Sequence, residues 1–181
     1  MEAIYAVDLK NGLSKDGVIP WHSKKDLNFF MNMTLNNVLI MGKNTYFSLP
    51  DNYRPLKKRL NIVLTSKPEN FLNYKKTNGV NELIFTGNHD FFTTILLNKN
   101  TFRGIYPFLK EDFKIFIIGG KTIYEQFIPL CEIVWVTIIK KVYSCDLFFD
   151  YDYSKEFKEE IVDEDEELII KKYEKSVLPS G

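Results

Sequence analysis

Apolar positions in this chain come in short blocks, each bounded by polar or turn residues. Ala3-Ile4-Tyr5-Ala6-Val7, Val38-Leu39-Ile40-Met41, Leu60-Asn61-Ile62-Val63-Leu64, the stretch from Phe113 to Ile118 and that from Ile133 to Ile139 have strand length and predict buried strands. Glu82-Leu83-Ile84-Phe85 reads as a shorter strand. Between these blocks the period changes. Ser23-Lys24-Lys25-Asp26 has the form of a capping box and opens a helix with Leu27, Phe30, Met31 and Thr34 on one face. Further helices are predicted up to Ser48, over Phe91 to Leu97 and over Thr122 to Phe127; Pro50 and Pro129 stop the first and last of them. Phe157 to Val162 and Leu168 to Tyr173 read as a closing antiparallel hairpin across the acidic turn Asp163-Glu164-Asp165-Glu166-Glu167.

Three stretches have no periodicity. Asp8 to His22 is a long loop, and ordered loops of that length often carry function. Asn70 to Asn81 is polar and irregular, and Asn98 to Asp112 reads as an insertion or ragged connection without an assigned role. Strands alternating with helices predict an α/β fold of one domain: a mostly parallel central sheet in a three-layer α/β/α arrangement, with an antiparallel C-terminal edge strand. The domain is expected over residues 1–175, with 176–181 a tail or linker.

Composition narrows the class. The chain has 181 residues, 45% hydrophobic and 27% charged, enough for a real core without metals or disulfides. No apolar run approaches a membrane span, and the N-terminus lacks the pattern of a secretory signal. Two cysteines, Cys131 and Cys145, without metal-like spacing suggest a reduced, cytoplasmic protein. Formal charge is zero but uneven: from Asp150 to Gly181 eleven acids face five Lys, so this part carries −6 and the rest +6. A positive body suits small anionic ligands, and it lacks the concentrated basic stripe that nucleic acid wants. Only Arg54, Arg59 and Arg103 are Arg; an Arg in a Lys-rich chain suits a bidentate grip on a carboxylate, although drift in composition explains any one of them as well.

Candidate chemistry sits where strands end. Met41-Gly42-Lys43-Asn44-Thr45 and Ile118-Gly119-Gly120-Lys121-Thr122 each join an apolar strand to a helix through glycine. Ligands bind at such strand ends, and helix N-termini suit phosphate. Two of them in a small domain suggest a dinucleotide, yet neither is a Walker A sequence or a GxGxxG fingerprint, and each glycine alone is explained by a simple turn. Thr65-Ser66-Lys67 offers two hydroxyls and a cation to a phosphate, or is merely a polar loop. Asp26 lies near Trp21, Ile19, Leu27 and Phe30, apolar surface that would push a carboxyl upward in pKa. Helix cap and chemical carboxylate both stay open on spacing alone. His22 and His89 have no evident partners, and no Ser–His–Asp pattern or metal cluster supports hydrolase or metal chemistry.

Taken together and in order, these segments resemble dihydrofolate reductase over nearly the whole chain. The resemblance is carried by Ile4-Tyr5-Ala6-Val7, Gly17-Val18-Ile19-Pro20-Trp21, Asp26-Leu27-Asn28-Phe29-Phe30, Ile40 to Pro50, Arg54 to Leu64, Ile117 to Phe127, Val136-Thr137 and Cys145 to Phe149. It implies an oxidoreductase that reduces 7,8-dihydrofolate to tetrahydrofolate by hydride transfer from NADPH, within one-carbon metabolism. Asp26, Trp21 and Thr137 would be the catalytic set. Ile4, Tyr5, Leu27, Phe30, Leu49, Leu56, Arg59, Ile118 and Tyr124 would bind substrate, with Arg59 on the α-carboxylate of the glutamate tail. Ala6, Leu13, Ile19, Gly42, Lys43, Asn44, Thr45, Leu64, Thr65, Ser66, Lys67, Gly119, Gly120, Lys121, Thr122 and Ile123 would bind the cofactor; Thr65, Ser66 and Lys67 would favour NADPH through its 2′-phosphate. A cis bond between the paired glycines is implied, and no metal. The chain would be a cytoplasmic monomer as an isolated domain, or the reductase part of a longer fusion with thymidylate synthase, binding neither nucleic acid nor membrane. Departures are Ser14 where the family has Gly, Tyr46 where it has Trp, and Lys121 in place of a third glycine. Alternatives are a pyrimidine reductase of riboflavin synthesis with the same fold, and a non-catalytic folate- or nucleotide-binding module.

Overall fold

The computed structural model describes residues 1–74 and 82–176. Its strands are β1 (Glu2–Val7), β2 (Gly12–Ser14), β3 (Val38–Gly42), β4 (Leu60–Leu64), β5 (Leu83–Thr86), β6 (Ile115–Ile117), β7 (Ile133–Ile139), β8 (Leu147–Phe148), β9 (Phe157–Glu164) and β10 (Leu168–Lys175). Its α-helices are α1 (Lys24–Thr34), α2 (Lys43–Ser48), α3 (Phe91–Leu97), α4 (Lys99–Ile105) and α5 (Lys121–Phe127).

Eight strands form one sheet in the order β5-β4-β3-β6-β1-β7-β10-β9. The pairs from β5 to β7 are parallel, while β10 runs antiparallel to β7 and to the edge strand β9. The closing hairpin therefore inserts its second strand against β7 and leaves its first at the rim. The alternation along β1 sends side chains to opposite faces. Ile4 joins Leu39, Met41, Val63 and Phe116 on the face covered by Phe29, Phe30 and Met33 of α1 and Tyr46 of α2. Ala3, Tyr5 and Val7 join Ile40, Ile62 and Ile117 on the face covered by Ile95 of α3 and Ile123, Tyr124 and Phe127 of α5. The outcome is the expected α/β/α layering around a mostly parallel sheet.

The segment expected as a ragged connection, Asn98 to Asp112, corrects that reading. Its first half is α4, and Phe102, Tyr106, Phe108 and Leu109 pack against the larger core. Their spacing was obscured by Gly104 and Pro107, but burial of three rings and a Leu outweighs weak local propensity. The strand expected over Phe113 to Ile118 is shorter, with only Ile115–Ile117 paired as β6. The loop Asp8 to His22 is also more ordered than its composition suggested, because β2 pairs with β8 in a separate two-stranded sheet. Ser14, the departure from glycine, lies in β2 and needs no left-handed backbone; Asn11, Asp16 and Gly17 take the positive φ values instead. The irregular stretch Asn70 to Asn81 lies partly outside the described residues, and so does the tail beyond Ser176.

Candidate active site

Helix α1 explains how Asp26 serves two ends. Ser23 is its N-cap, and the Ser23 hydroxyl accepts the backbone N–H of Asp26 at 3.1 Å. The backbone of Asp26 does the capping, so its carboxylate is free to turn to the sheet. There it meets hydrogen bonding from the Thr137 hydroxyl on β7 and from the Trp21 side chain. Thr137 is buried opposite Ala6 of β1 and Ile170 of β10. Trp21 is buried too, its ring 5.6 Å from that of Tyr143. Burial is the largest influence on Asp26 and pushes its carboxyl above the usual carboxylate range; the bonds from Thr137 and Trp21 pull it partly back, and the charge of Glu167 adds to the rise. Such a group holds a proton closer to neutral pH than an exposed aspartate does.

Beside Asp26 stands an apolar wall. Ile4, Leu56, Phe30, Leu49 and Ile118 belong to one cluster on the α1 side of the sheet. Leu27 and Ile19 are exposed at its margin. Tyr124 reaches the same place from the far layer: its phenol donates to the Ile4 carbonyl at 2.9 Å. Tyr5 does not put its side chain there. Its ring packs on Tyr124 and Phe149 in the opposite layer, and its hydroxyl shares a 2.6 Å hydrogen bond with that of Tyr153. Leu13 likewise buries its side chain in the opposite layer, and Ala6 packs with Trp21.

At the other end of the wall Arg59 is 2% exposed, which decides that it is not a surface charge. Its Nε donates to Thr34 Oγ1 at 2.9 Å, one terminal nitrogen to the Lys57 carbonyl at 2.7 Å, and the other to the Met31 carbonyl at 2.6 Å. All three acceptors are neutral, and among the described residues the guanidinium has no ion-pair partner. Desolvation lowers its pKa, an unfavourable situation for a cation that an anionic ligand would relieve. Asn61 fixes the loop that carries it: its amide donates to the carbonyls of Leu56 and Arg59 at 2.9 Å and its oxygen accepts the Leu56 N–H at 3.1 Å.

The two glycine turns come together. Gly42 N–H donates to the Gly119 carbonyl at 2.8 Å, so the starts of α2 and α5 are neighbours at the C-terminal ends of β3 and β6. Neither helix has a side-chain cap, which leaves N–H groups around Lys43, Asn44 and Thr45 and around Lys121, Thr122 and Ile123 available. Gly119 has φ +113° and is joined to Gly120 by a cis peptide, as expected; a side chain on Gly119 would meet the Tyr124 ring at 3.1 Å. This close-set backbone cradle fits a diphosphate. Leu64 and Thr65 are buried at the end of β4, and Ser66 and Lys67 are exposed beside them. Among the described residues no group of three or more His, Cys, Asp or Glu side chains converges on a metal site, and no helix is long and apolar enough to cross a membrane.

Two contributors escaped the sequence reading. Thr34 was seen only as a face residue, yet it carries Arg59. Asp8 is buried, and its carboxylate accepts the N–H groups of Lys10 (2.8 Å), Gly12 (2.9 Å) and Tyr143 (3.0 Å) and the Cys145 thiol (3.6 Å). It ties the loop after β1 to the segment after β7, and Asp146 ties it again by accepting the Asp16 N–H at 3.0 Å. An Asp flanked by an apolar strand and Asn-Gly was the only available signal.

The protein family described as dihydrofolate reductase matches residues 1–176. The chain is 36% identical over 173 residues to the dihydrofolate reductase of Mycoplasma genitalium, covering 96% of each chain. It is 32% identical to the bifunctional dihydrofolate reductase-thymidylate synthase of Zea mays, over 76% of this chain and 26% of that one. A solved structure of dihydrofolate reductase from Enterococcus faecalis, complexed with NADP(H), shares the fold with a TM-score of 0.68 at 23% identity, covering 97% of this chain and 96% of that one.

Proposed function

The chain belongs to the dihydrofolate reductase family, and we infer that it reduces 7,8-dihydrofolate to tetrahydrofolate at the expense of NADPH. The observation that carries the residue assignment is the half-buried Asp26, with its raised affinity for a proton, beside the wall made by Ile4, Phe30 and Ile118. In this reading the Asp26 carboxyl accepts hydrogen bonds from the 2-amino and N3 edge of the pterin and supports a proton at N5. Thr137 and Trp21 orient it. Phe30, Ile4 and Ile118 cover the ring and exclude water, Tyr124 braces the Ile4 carbonyl, and Leu27, Leu49 and Leu56 line the path of the tail. Arg59 grips the α-carboxylate of the glutamate with the N–H groups that Thr34, Lys57 and Met31 leave unused.

The cradle of Gly42 to Thr45 and Gly119 to Ile123 holds the cofactor's diphosphate, and Thr65, Ser66 and Lys67 approach its 2′-phosphate. NADPH, when bound, supplies the hydride that adds to C6 of the pterin. The protein's part is positioning, a dry site and the proton. Buried Arg59 favours this substrate over a riboflavin precursor, which has no glutamate tail. As an isolated domain the chain acts as a cytoplasmic monomer on a small molecule, without nucleic acid; relatives such as that of Zea mays carry thymidylate synthase in the same chain.

The test is loss of NADPH absorbance on mixing the protein with dihydrofolate. Turnover blocked by methotrexate supports the assignment. Binding of both ligands without oxidation would refute it in favour of a non-catalytic module.

A further inference from the structure

Between β8 and the edge strand β9 acids and rings alternate in Asp150-Tyr151-Asp152-Tyr153. The rings gather into a column. Tyr153 is buried and stacks on Tyr173 of β10, with centroids 4.0 Å and planes 14° apart. Tyr151 lies tilted at 4.8 Å from it, and Phe157 meets it edge-on at 5.4 Å. The 2.6 Å hydrogen bond to the Tyr5 hydroxyl pins Tyr153 from below. Over the column opens a cleft of about 540 Å³, lined by these rings, by Ser154 and by the carboxylates of Asp150, Asp152 and Glu159. Small-molecule sites occupy about 300–1,000 Å³. The rings belong to the larger core, on the face of the sheet opposite to α1, so the cleft is separate from the site around Asp26.

Much of the cleft's negative charge is uncompensated. Asp150 and Asp152 have no ion-pair partner among the described residues. Asp152 Oδ1 accepts the Ser154 hydroxyl and, at 3.0 Å, the Ser154 N–H, which hold its carboxyl below the usual range; exposed Lys155 adds a little to this. Glu159 Oε1 accepts the Lys171 ammonium at 2.8 Å and the Tyr173 hydroxyl at 2.9 Å, so Lys171 offsets one of the three charges. Burial raises the phenols of Tyr151, Tyr153 and Tyr173, which stay neutral and offer ring faces that attract cations. Yet no three carboxylates converge on one metal-sized point. We propose that this cleft binds an aliphatic polyamine, whose ammonium groups meet Asp150, Asp152 and Glu159 in turn while its methylene spacers lie on Tyr151 and Tyr173. A point cation would satisfy one carboxylate and leave the others. A polyamine spreads several charges along a chain, and its spacers bury apolar surface against the rings.

The experiment is titration calorimetry of the full chain with spermidine at low salt, and it is independent of the chain's activity. Saturable binding of one spermidine per chain is expected, weaker for the shorter diamine putrescine and weakened by added sodium chloride. Asp150→Asn and Asp152→Asn each remove one charge at an exposed position and keep an acceptor oxygen. Each should weaken spermidine about two- to fivefold, and the two together about tenfold. Tyr151→Leu should weaken it about two- to fivefold, and Tyr151→Phe should bind like the native chain. Glu166→Gln with Glu167→Gln is the control: it removes two charges from the acidic turn between β9 and β10, outside the cleft, and should leave binding unchanged. Absence of saturable binding at millimolar spermidine overturns the proposal. So does an equal loss from the turn variant, since spermidine would then merely collect on an acidic surface.

Discussion

The hydroxyl of Thr34 carries the guanidinium of Arg59. It accepts from Arg59 Nε at 2.9 Å while donating to the Phe30 carbonyl at 2.8 Å, so the last turn of α1 aims a charge located beyond β3, α2 and the loop that follows. Thr34→Val keeps the shape and removes the acceptor. A buried charged donor is then unsatisfied, with a stability loss of about 1–3 kcal/mol measured by denaturant unfolding. In steady-state kinetics KM for dihydrofolate should rise about tenfold with kcat nearly unchanged, the signature of lost uniform binding.

Arg59→Lys tests the grip itself. A lysine cannot satisfy Thr34, Lys57 and Met31 and still present a planar fork to a carboxylate. We expect KM for dihydrofolate to rise about 10- to 100-fold, since loss of a charge-assisted bidentate pair is worth about 1.5–3 kcal/mol. A pterin substrate without the glutamate tail should be reduced equally well by both proteins.

Asp26→Asn removes the proton-holding group. Turnover at pH 7 should fall by about 10²- to 10⁴-fold. Stability should change in the opposite sense. The folded-state carboxyl of Asp26 lies above its unfolded value, so the folded protein binds the proton more tightly, and this contribution is lost as pH rises through the folded pKa. Thermal melts should therefore show the Asn variant more stable than the native chain at neutral pH, with the difference shrinking in acid.

Asp8 titrates the other way. Although its burial opposes ionisation, the three N–H groups and the thiol around it hold its carboxyl below the usual range. Its contribution is present above the unfolded pKa and is lost as pH falls through the folded pKa. Asp8→Asn, which puts a donor where only acceptors serve, should lose about 1–3 kcal/mol at pH 7 in denaturant titration and lose less in acid. Hydrogen exchange should speed up first at Gly12 and Tyr143.

Gly119→Ala places a side chain where φ is +113° and where the Tyr124 ring is 3.1 Å away. Left-handed backbone at a non-glycine residue costs about 1–3 kcal/mol. Because the cradle shifts with it, calorimetry should show weaker NADPH binding in addition to a lower Tm.

Much of this molecule was legible in the chain. The blocks at Ala3–Val7, Val38–Met41, Leu60–Leu64 and Ile133–Ile139 became β1, β3, β4 and β7, because a doubly covered parallel sheet demands unbroken apolar runs. Ser23 capped α1, and the acid run closed a hairpin. The order of motifs identified the family. The helix α4 was not legible: Phe102 within it and Tyr106 and Phe108 just past its end are spaced around a Gly and a Pro, and only contact with the core gathers these rings.

The sequence by itself determined the main strands of the parallel sheet, the two glycine turns and the Ser23 cap of α1, because periodicity, steric freedom and capping are local properties. Tertiary structure alone decided what those residues feel. Asp26 acquires its raised pKa from burial first and from the charge of Glu167 second, against the pull of Thr137 and Trp21, groups between 5 and 141 positions away along the chain. Arg59 is buried by Thr34 and Met31, and Tyr5 is turned from the Ile4 side by the pleat and held by Tyr153. Burial and electrostatics depend on distance in space, and sequence separation carries no measure of that distance until the sheet has set its order.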